Sequence, residues 1–331
     1  MAKILVTGGA GFIGSHVSEA LLKRGYQVIV LDDLSGGFRE NVVEGIEFVQ
    51  GNVNDVEQIN TLFDEHAFQY VYHLAAYAAD GLSHFIKRFN YTNNLIGSVN
   101  LINASINHGV KCFVFTSSFT VYGAIPILPV TENARPHPED PYSIAKLAIE
   151  QDLRVNKSFF DLNFIIFRPH SVYGERQNIG DRYRNVVGIF MNEILQEKPM
   201  TVFGDGNQIR AFSYISDIAP IMAEAIDTPM AYNEVFNIGS DQTYSINELA
   251  QSVAHAMGVK PDIRYLPPRN EVKNMVASHT KLQAVFGKRE PANLGEGLQR
   301  MADWVKQHGA RQSRRFDSIE VSKNFPTAWV E

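Results

Sequence analysis

The chain predicts an α/β protein: a doubly wound parallel sheet with a smaller, discontinuous α/β substrate-binding part beside it. Short apolar runs alternate with longer stretches of helical spacing through the first half. Those runs are apolar almost without interruption, as strands buried on both faces must be. A glycine-rich turn joins the first run to the first helical stretch.

Residues Lys3–Thr7 (KILVT) read as a strand closed by glycines, and 12–24 as a helix stopped by Gly25. Gln27–Asp32 (QVIVLD) is a second strand, and 46–50, 70–75, 111–117 and 163–168 repeat the theme. Helical spacing fills 56–66, 91–108 and 141–156. Alternation of this kind gives right-handed crossovers and helices on both faces of the sheet. After about residue 170 the segments shorten, and Gly, Pro and Asn become denser. The division that follows is a dinucleotide-binding domain over 1–170, with 226–240 returning to it through the strand-like 235–238. A substrate domain takes 171–225 and 241–311, and includes an amphipathic helix at 294–307. Residues 312–331 form a C-terminal extension without periodicity.

Composition narrows the function. The 331 residues are 45% hydrophobic and 20% charged, ordinary for a soluble globular protein. A net charge of -6 argues against a general nucleic-acid surface. One cysteine, Cys112, excludes an intramolecular disulfide. No apolar run reaches the roughly 18–20 residues that span a bilayer, and the N-terminus does not read as a secretory signal. A soluble, cytoplasmic protein is expected. His66, His73, His84 and His108 lie on different elements, so no metal site is expected.

Strand one runs into Thr7-Gly8-Gly9-Ala10-Gly11-Phe12-Ile13-Gly14. Gly8 permits the tight turn, Gly11 lets backbone approach a pyrophosphate, and Gly14 lets helix pack on strand. The helix start offers N–H groups and partial positive charge to phosphate. Asp32 ends strand two, where a carboxylate accepts from both ribose hydroxyls and repels a 2′-phosphate. The pattern predicts a Rossmann-type site for NAD rather than NADP.

Asp140-Pro141 reads as an N-cap followed by proline at the first helical position. Tyr142 and Lys146 are then one turn apart on one face. Ser117 and Ser118 close the fifth strand, where ligands of parallel sheets bind. Oxidising a sugar alcohol needs a base for the hydroxyl proton and an acceptor for the hydride. A free tyrosine, pKa near 10, is ionised to roughly one part in a thousand at pH 7. Lowering that pKa by about three units takes roughly 4 kcal/mol. An ammonium about 4 Å away, at an effective dielectric near 20, supplies roughly that amount. Tyr142 as base, Lys146 as its cation and Ser118 as holder of the substrate oxygen are therefore the candidate catalytic residues.

The motifs together resemble the extended short-chain dehydrogenase/reductase family, and within it the NAD-dependent nucleotide-sugar epimerases. They are the glycine turn, His73-Leu74-Ala75-Ala76, Ser117-Ser118-Phe119-Thr120-Val121-Tyr122-Gly123, Tyr142-Ser143-Ile144-Ala145-Lys146, and Gly204-Asp205-Gly206 through Arg210. The similarity runs over about residues 3 to 310. It implies that Phe12 and Ile13 lie along the pyrophosphate and that Asn52 and Val53 flank the adenine. It also implies that Ala75, Ala76, Tyr77, Asn93 and Ser117 line the cofactor, with Tyr142, Lys146, Pro169 and His170 near its nicotinamide. Ser118, Thr120, Tyr142, Ser171, Asn185, Arg210 and Arg269 fall where the family binds the nucleotide sugar. Arginine suits a diphosphate through its two-pronged donation.

The resemblance implies C4 epimerisation of a nucleotide sugar, most often a UDP-hexose, through a transient 4-keto sugar, in a homodimer joined through helices 92–108 and 142–156. A reductase or dehydrogenase, or a 4,6-dehydratase ranked below it, of the same family is the alternative, and a non-catalytic nucleotide sensor a minor one. The 4,6-dehydratases carry acidic residues where this chain has Phe119 and Thr120, neither of which serves as the acid or base that water elimination needs. Asn52 replaces the usual aspartate and Ser171 a common asparagine, so the sugar itself is left open.

Overall fold

The computed structural model describes residues 2–268, 272–312, 316–326 and 329. Its central sheet holds six strands in chain order: β1 (Lys3–Thr7), β2 (Gln27–Asp32), β3 (Glu47–Gln50), β4 (Tyr70–His73), β5 (Cys112–Thr116) and β6 (Asn163–Pro169). A seventh, the closing strand Glu234–Ile238, pairs parallel with β6. Across the sheet the order is closing strand, β6, β5, β4, β1, β2, β3, all parallel.

The apolar runs are continuous because both faces are covered. Ile4, Val6, Val28, Val30, Val114 and Ile165 enter one core; Leu5, Ile29, Leu31, Phe113, Phe115 and Ile166 enter the other. Side chains alternate across a strand, so each strand feeds both. Cys112 is fully buried among these residues, and burial pushes its thiol up, as befits a small packing residue.

Helices follow the sequence spacing, with informative departures. The first is Phe12–Lys23, and the one after β5 runs Pro141–Phe160, four residues beyond the expected end, stopping at Asp161 in the left-handed region (φ 57°). The stretch expected as one helix over 91–108 is three pieces: Lys87–Tyr91, a π-helical stretch Thr92–Ile96, and Gly97–Asn107. Strand β4 stops at His73 rather than 75, and the His73 ring is taken up on both sides. Its Nδ1 lies 2.7 Å from the Thr7 hydroxyl and its Nε2 2.8 Å from the Ser98 hydroxyl. Ser98 donates to the Asn94 carbonyl, so it accepts from Nε2–H, and Nδ1 accepts from Thr7.

Beyond β6 the chain forms small sheets: Val172–Tyr173 with Ser213–Tyr214, Met200–Phe203 with Ile263–Leu266, and Ile209–Ala211 between Thr243–Ser245 and Asn274–Met275. The helices Val186–Leu195, Ile246–Met257 and Leu294–His308 pack with them. Among the described residues no helix is long and apolar enough to cross a membrane. The strand order reverses between β1 and β4. That switch point opens a crevice beyond the carboxyl ends of the strands, where such sheets bind ligands.

Candidate active site

A cavity of about 1870 Å³ occupies this crevice. Its first wall is the glycine turn. Gly8 holds φ +72°, and a Cβ there would sit 2.6 Å from the Ala75 nitrogen. A Cβ on Gly14 would come within 2.1 Å of the Gly8 carbonyl oxygen, and one on Gly11 within 3.0 Å of the same atom. The turn is therefore folded tightly against the loop after β4, and the helix behind it starts at Gly11 with no side-chain cap. Uncapped N–H groups at a helix start suit a pyrophosphate. Asp32 is buried at the end of β2, its carboxylate accepting from the backbone N–H of Ala10 (3.0 Å) and Leu34 (2.8 Å). Burial pushes its carboxyl up against these bonds. Backbone room, free helix N–H groups and a fixed carboxylate fit a dinucleotide.

The second wall follows β4. Ala75, Ala76 and Tyr77 line the cavity, together with Asn93 from the π-helical stretch. Asn94, on that stretch, holds the loop: its Oδ1 accepts from Tyr77 N–H (2.9 Å) and its Nδ2 donates to the Tyr77 carbonyl (3.1 Å). Val53 lines the cavity too. Asn52 spends its amide within the protein, donating to Asp33 (2.8 Å) and accepting from Asn54 N–H (2.8 Å).

The third wall carries the chemistry. Ser117 and Ser118 follow β5, and Tyr142 and Lys146 face the same crevice from the helix Pro141–Phe160. Asp140 caps that helix, accepting from Ser143 N–H at 2.8 Å. Tyr142 is 6% exposed and Lys146 2%. The Lys146 ammonium donates to the Thr116 carbonyl (2.7 Å), 4.7 Å from the Phe115 ring centroid and 5.8 Å from that of Tyr142. Burial dominates both groups: it pushes the Tyr142 phenol well above its ordinary value, opposed by a hydrogen bond from Ser118, and brings Lys146 down to about 7, opposed by the Glu150 carboxylate. The expectation from sequence counted the attraction between the two groups and not the cost of taking both out of water, which opposes it.

Behind Lys146 stands a buried ion pair. Glu150 is fully buried and Arg168, on β6, is 2% exposed. Arg168 Nε donates to Glu150 Oε1 (2.8 Å) and Nη2 bonds Oε2. Ser117 donates to the same carboxylate at 2.6 Å, and the guanidinium lies 4.6 Å from the Tyr122 ring centroid. A second chain leads away from Ser118: its hydroxyl meets that of Thr120 (2.8 Å), Thr120 meets Ser143 (2.7 Å), and Ser143 meets the Asp140 carboxylate (2.7 Å).

Pro169, the last residue of β6, and His170 line the cavity. His170 Nδ1 lies 3.1 Å from the Ala211 carbonyl, which only accepts, so Nδ1 carries a proton. Its Nε2 is 3.1 Å from Nε2 of His279, whose Nδ1 is 2.6 Å from Asp241. Burial holds His170 down at about 3, so it is neutral. The Asp241 carboxyl is held below the usual range first by its hydrogen bond with His279.

On the remaining side Thr120, Ser171, Asn185 and Arg210 line the cavity. Ser171 (φ 41°) and Asn185 (φ 64°) take left-handed backbone, uncommon for residues other than glycine. The Arg210 guanidinium is held by the carbonyls of Ile209, Val272 and Lys273. Arg269 lies outside the described residues. Sequence reading missed Asn94, Ser143, Glu150, His279 and Asp241. Only Glu150 carried a signal: it stands one helical turn after Lys146, as Lys146 stands after Tyr142.

The model of the NAD dependent epimerase/dehydratase family matches residues 4–239. A putative UDP-glucose 4-epimerase of Methanocaldococcus jannaschii is 32% identical over 92% of this chain and 98% of its own length. A UDP-glucose 4-epimerase of Thermotoga maritima, solved with UDP-glucose, superposes with a TM-score of 0.88 at 35% identity, covering 92% of this chain and 99% of that one. A UDP-glucuronic acid 4-epimerase of Bacillus cereus, solved with UDP-glucuronic acid and NAD, gives 0.85 at 30% identity over 92% and 99%. In sequence, in strand order and in the layout of its crevice, this chain belongs to the NAD dependent epimerase/dehydratase family.

Proposed function

We propose that the protein epimerises a nucleotide sugar at C4, a UDP-hexose or a derivative of one, through a transient 4-keto sugar. The observation that carries this reading is the convergence of Ser118, Tyr142 and Lys146 on one crevice, opposite a glycine turn shaped for a dinucleotide. The two solved relatives, one named for glucose and the other for glucuronic acid, are both 4-epimerases of UDP-sugars.

Ser118 holds the C4 oxygen, and Tyr142 takes the hydroxyl proton and later returns it. The nicotinamide of NAD, when bound, supplies the hydride acceptor and a positive charge beside the phenol. That charge complements Lys146, which burial brings down to about 7. The hydroxyl run from Ser118 through Thr120 and Ser143 to Asp140 gives the proton a hydrogen-bonded path away from the sugar. Inversion needs the keto sugar to present its other face within the cavity. No carboxylate stands at Phe119 or Thr120 to drive water elimination, which favours epimerase over dehydratase.

Incubating the pure protein with a panel of UDP-sugars and reading C4 configuration by NMR tests the reaction. Product formed without added cofactor separates an epimerase from a reductase that releases its nicotinamide each cycle. Tyr142→Phe should lower turnover by about 10²–10⁴-fold, the usual contribution of a positioned base, while leaving NAD bound. An active variant removes Tyr142 from the role.

The same reading includes a homodimer. Ile144, Val155 and Phe159 lie on one face of the helix Pro141–Phe160 and are 43%, 61% and 80% exposed, and Ile96, 50% exposed, belongs to the neighbouring π-helical stretch. A two-fold contact through these helices would cover that apolar face. Light scattering of the pure protein reads the mass.

A further inference from the structure

We propose that the described residues of the C-terminal tail, 311–312, 316–326 and 329, form a strap that holds NAD in the crevice between turnovers. This rests on dinucleotide binding as read above. The tail lies past the last motif shared with the family, and its described residues bind both lips of the crevice.

The strap begins at Arg311. Its N–H donates to Asn192 Oδ1 (2.9 Å) and its carbonyl accepts from Asn192 Nδ2 (2.9 Å). Its guanidinium lies 3.5 Å from the Phe38 ring centroid. Phe38 in turn is tied to the glycine turn, donating to the Ala10 carbonyl at 3.0 Å. The next anchor is Phe316, whose ring meets Phe89 edge-on at 4.8 Å and Tyr77 at 5.6 Å, while its N–H donates to the Tyr183 hydroxyl at 3.3 Å. Glu320 and Val321 then donate to the Phe85 carbonyl (2.8 and 3.1 Å). The Glu320 carboxylate accepts from Arg88 and Phe89 N–H (2.8 and 3.0 Å). Finally Phe325 packs on Phe85 at 5.0 Å, and Trp329, 4% exposed, stands edge-on to Tyr183 at 5.3 Å and over Gly81.

The two lips belong to different parts of the fold. Tyr77, Phe85 and Phe89 follow β4. Tyr183 lies in the segment after β6 that reaches over to the loop after β2, where Asn178 donates to the Gly36 carbonyl (3.3 Å) and the Arg176 carbonyl accepts from Asn41 (3.4 Å). Tyr77, Tyr183 and Trp329 all line the cavity. A dinucleotide lying from the glycine turn to Tyr142 leaves only when these lips part, and parting them strips Phe316 and Trp329 of neighbours on one side. Each such aromatic buries roughly 150–250 Å². Contacts of this kind slow escape more than they speed entry.

The test measures release of NAD from the loaded protein by chase with labelled NAD. Three proteins are compared: the full chain, a chain ending after Gln312 that keeps the Arg311 contacts, and the double variant Phe325→Ala/Trp329→Ala. Circular dichroism checks that each is folded. The strap predicts release at least about tenfold faster from both altered proteins, equivalent to about 1.4 kcal/mol. Release within about twofold of the full chain from a folded altered protein overturns it. Should the shortened chain not fold, the double variant decides alone. A full chain that retains no NAD at all defeats the dinucleotide reading itself, a separate outcome.

Discussion

The buried pair Glu150–Arg168 makes a sharp prediction. Glu150→Gln keeps the shape and removes the charge. It leaves a guanidinium that is 2% exposed without its counter-ion. Breaking a buried pair from one side costs about 3–5 kcal/mol, because the remaining charge stays out of water unpaired. Unfolding entropy of about 2 cal/mol/K per residue, over 331 residues, converts this to a melting point about 4–7 °C lower. Differential scanning calorimetry at pH 7 and low salt reads it. The double variant Glu150→Leu/Arg168→Met, which removes both charges, should melt closer to the natural protein than Glu150→Gln does. Melting of Glu150→Gln within about 1 °C of the natural protein would refute the reasoning. The effect also reaches the crevice: the Glu150 carboxylate opposes the downward push of burial on Lys146, so its loss makes the lysine give up its proton more readily.

The other predictions concern the lysine and the glycine turn. Lys146, brought from its ordinary value to about 7, binds fewer protons folded than unfolded between about pH 7 and 10.5. Its burial penalty is therefore full below pH 7 and vanishes above about 10.5, so stability rises with pH through that window. Lys146→Met should raise stability by a few kcal/mol at pH 6, with the gain fading toward pH 10, while abolishing turnover. Calorimetry of both proteins at the two pH values checks it, and a gain over the natural protein no larger at pH 6 than at pH 10 contradicts it. Gly14→Ala would drive a Cβ to 2.1 Å from the Gly8 carbonyl, a backbone atom that cannot swing aside. Bound NAD, read by absorbance after desalting, should fall below about a tenth of the natural content; full retention would show that the turn relaxes.

Much of the site was legible because it is written in local spacing. The glycine turn is a backbone requirement, and three glycines between a strand and a helix state it outright. Tyr142 and Lys146 are legible through the helical repeat, and Asp140-Pro141 through helix capping. What escaped depends on distance along the chain or on burial. His279 reaches His170 across 109 positions, and nothing local to either histidine marks the pair. Thr120 and Ser143 meet only because the loop after β5 and the helix start share one end of the sheet. The burial of Tyr142 escaped for the same reason. Spacing gives the neighbour of a phenol, but not how much water the fold removes from it. The break of helix 91–108 into a π-helical stretch also had no compositional mark, since Thr92–Ile96 contains neither proline nor glycine.

That stretch constrains how the protein can change. A π turn holds one more residue than the α turn it replaces, and each helical residue turns the chain by about 100°. Removing a single residue between 92 and 96 would restore a regular helix and swing the preceding turn, Lys87–Tyr91, by about that angle against everything after Gly97. Asn94 would lose its grip on the Tyr77 loop, and Phe89 would turn away from Phe316. The residue count here is therefore fixed, and the length of this helix is held by the cleft it borders rather than by its own regularity.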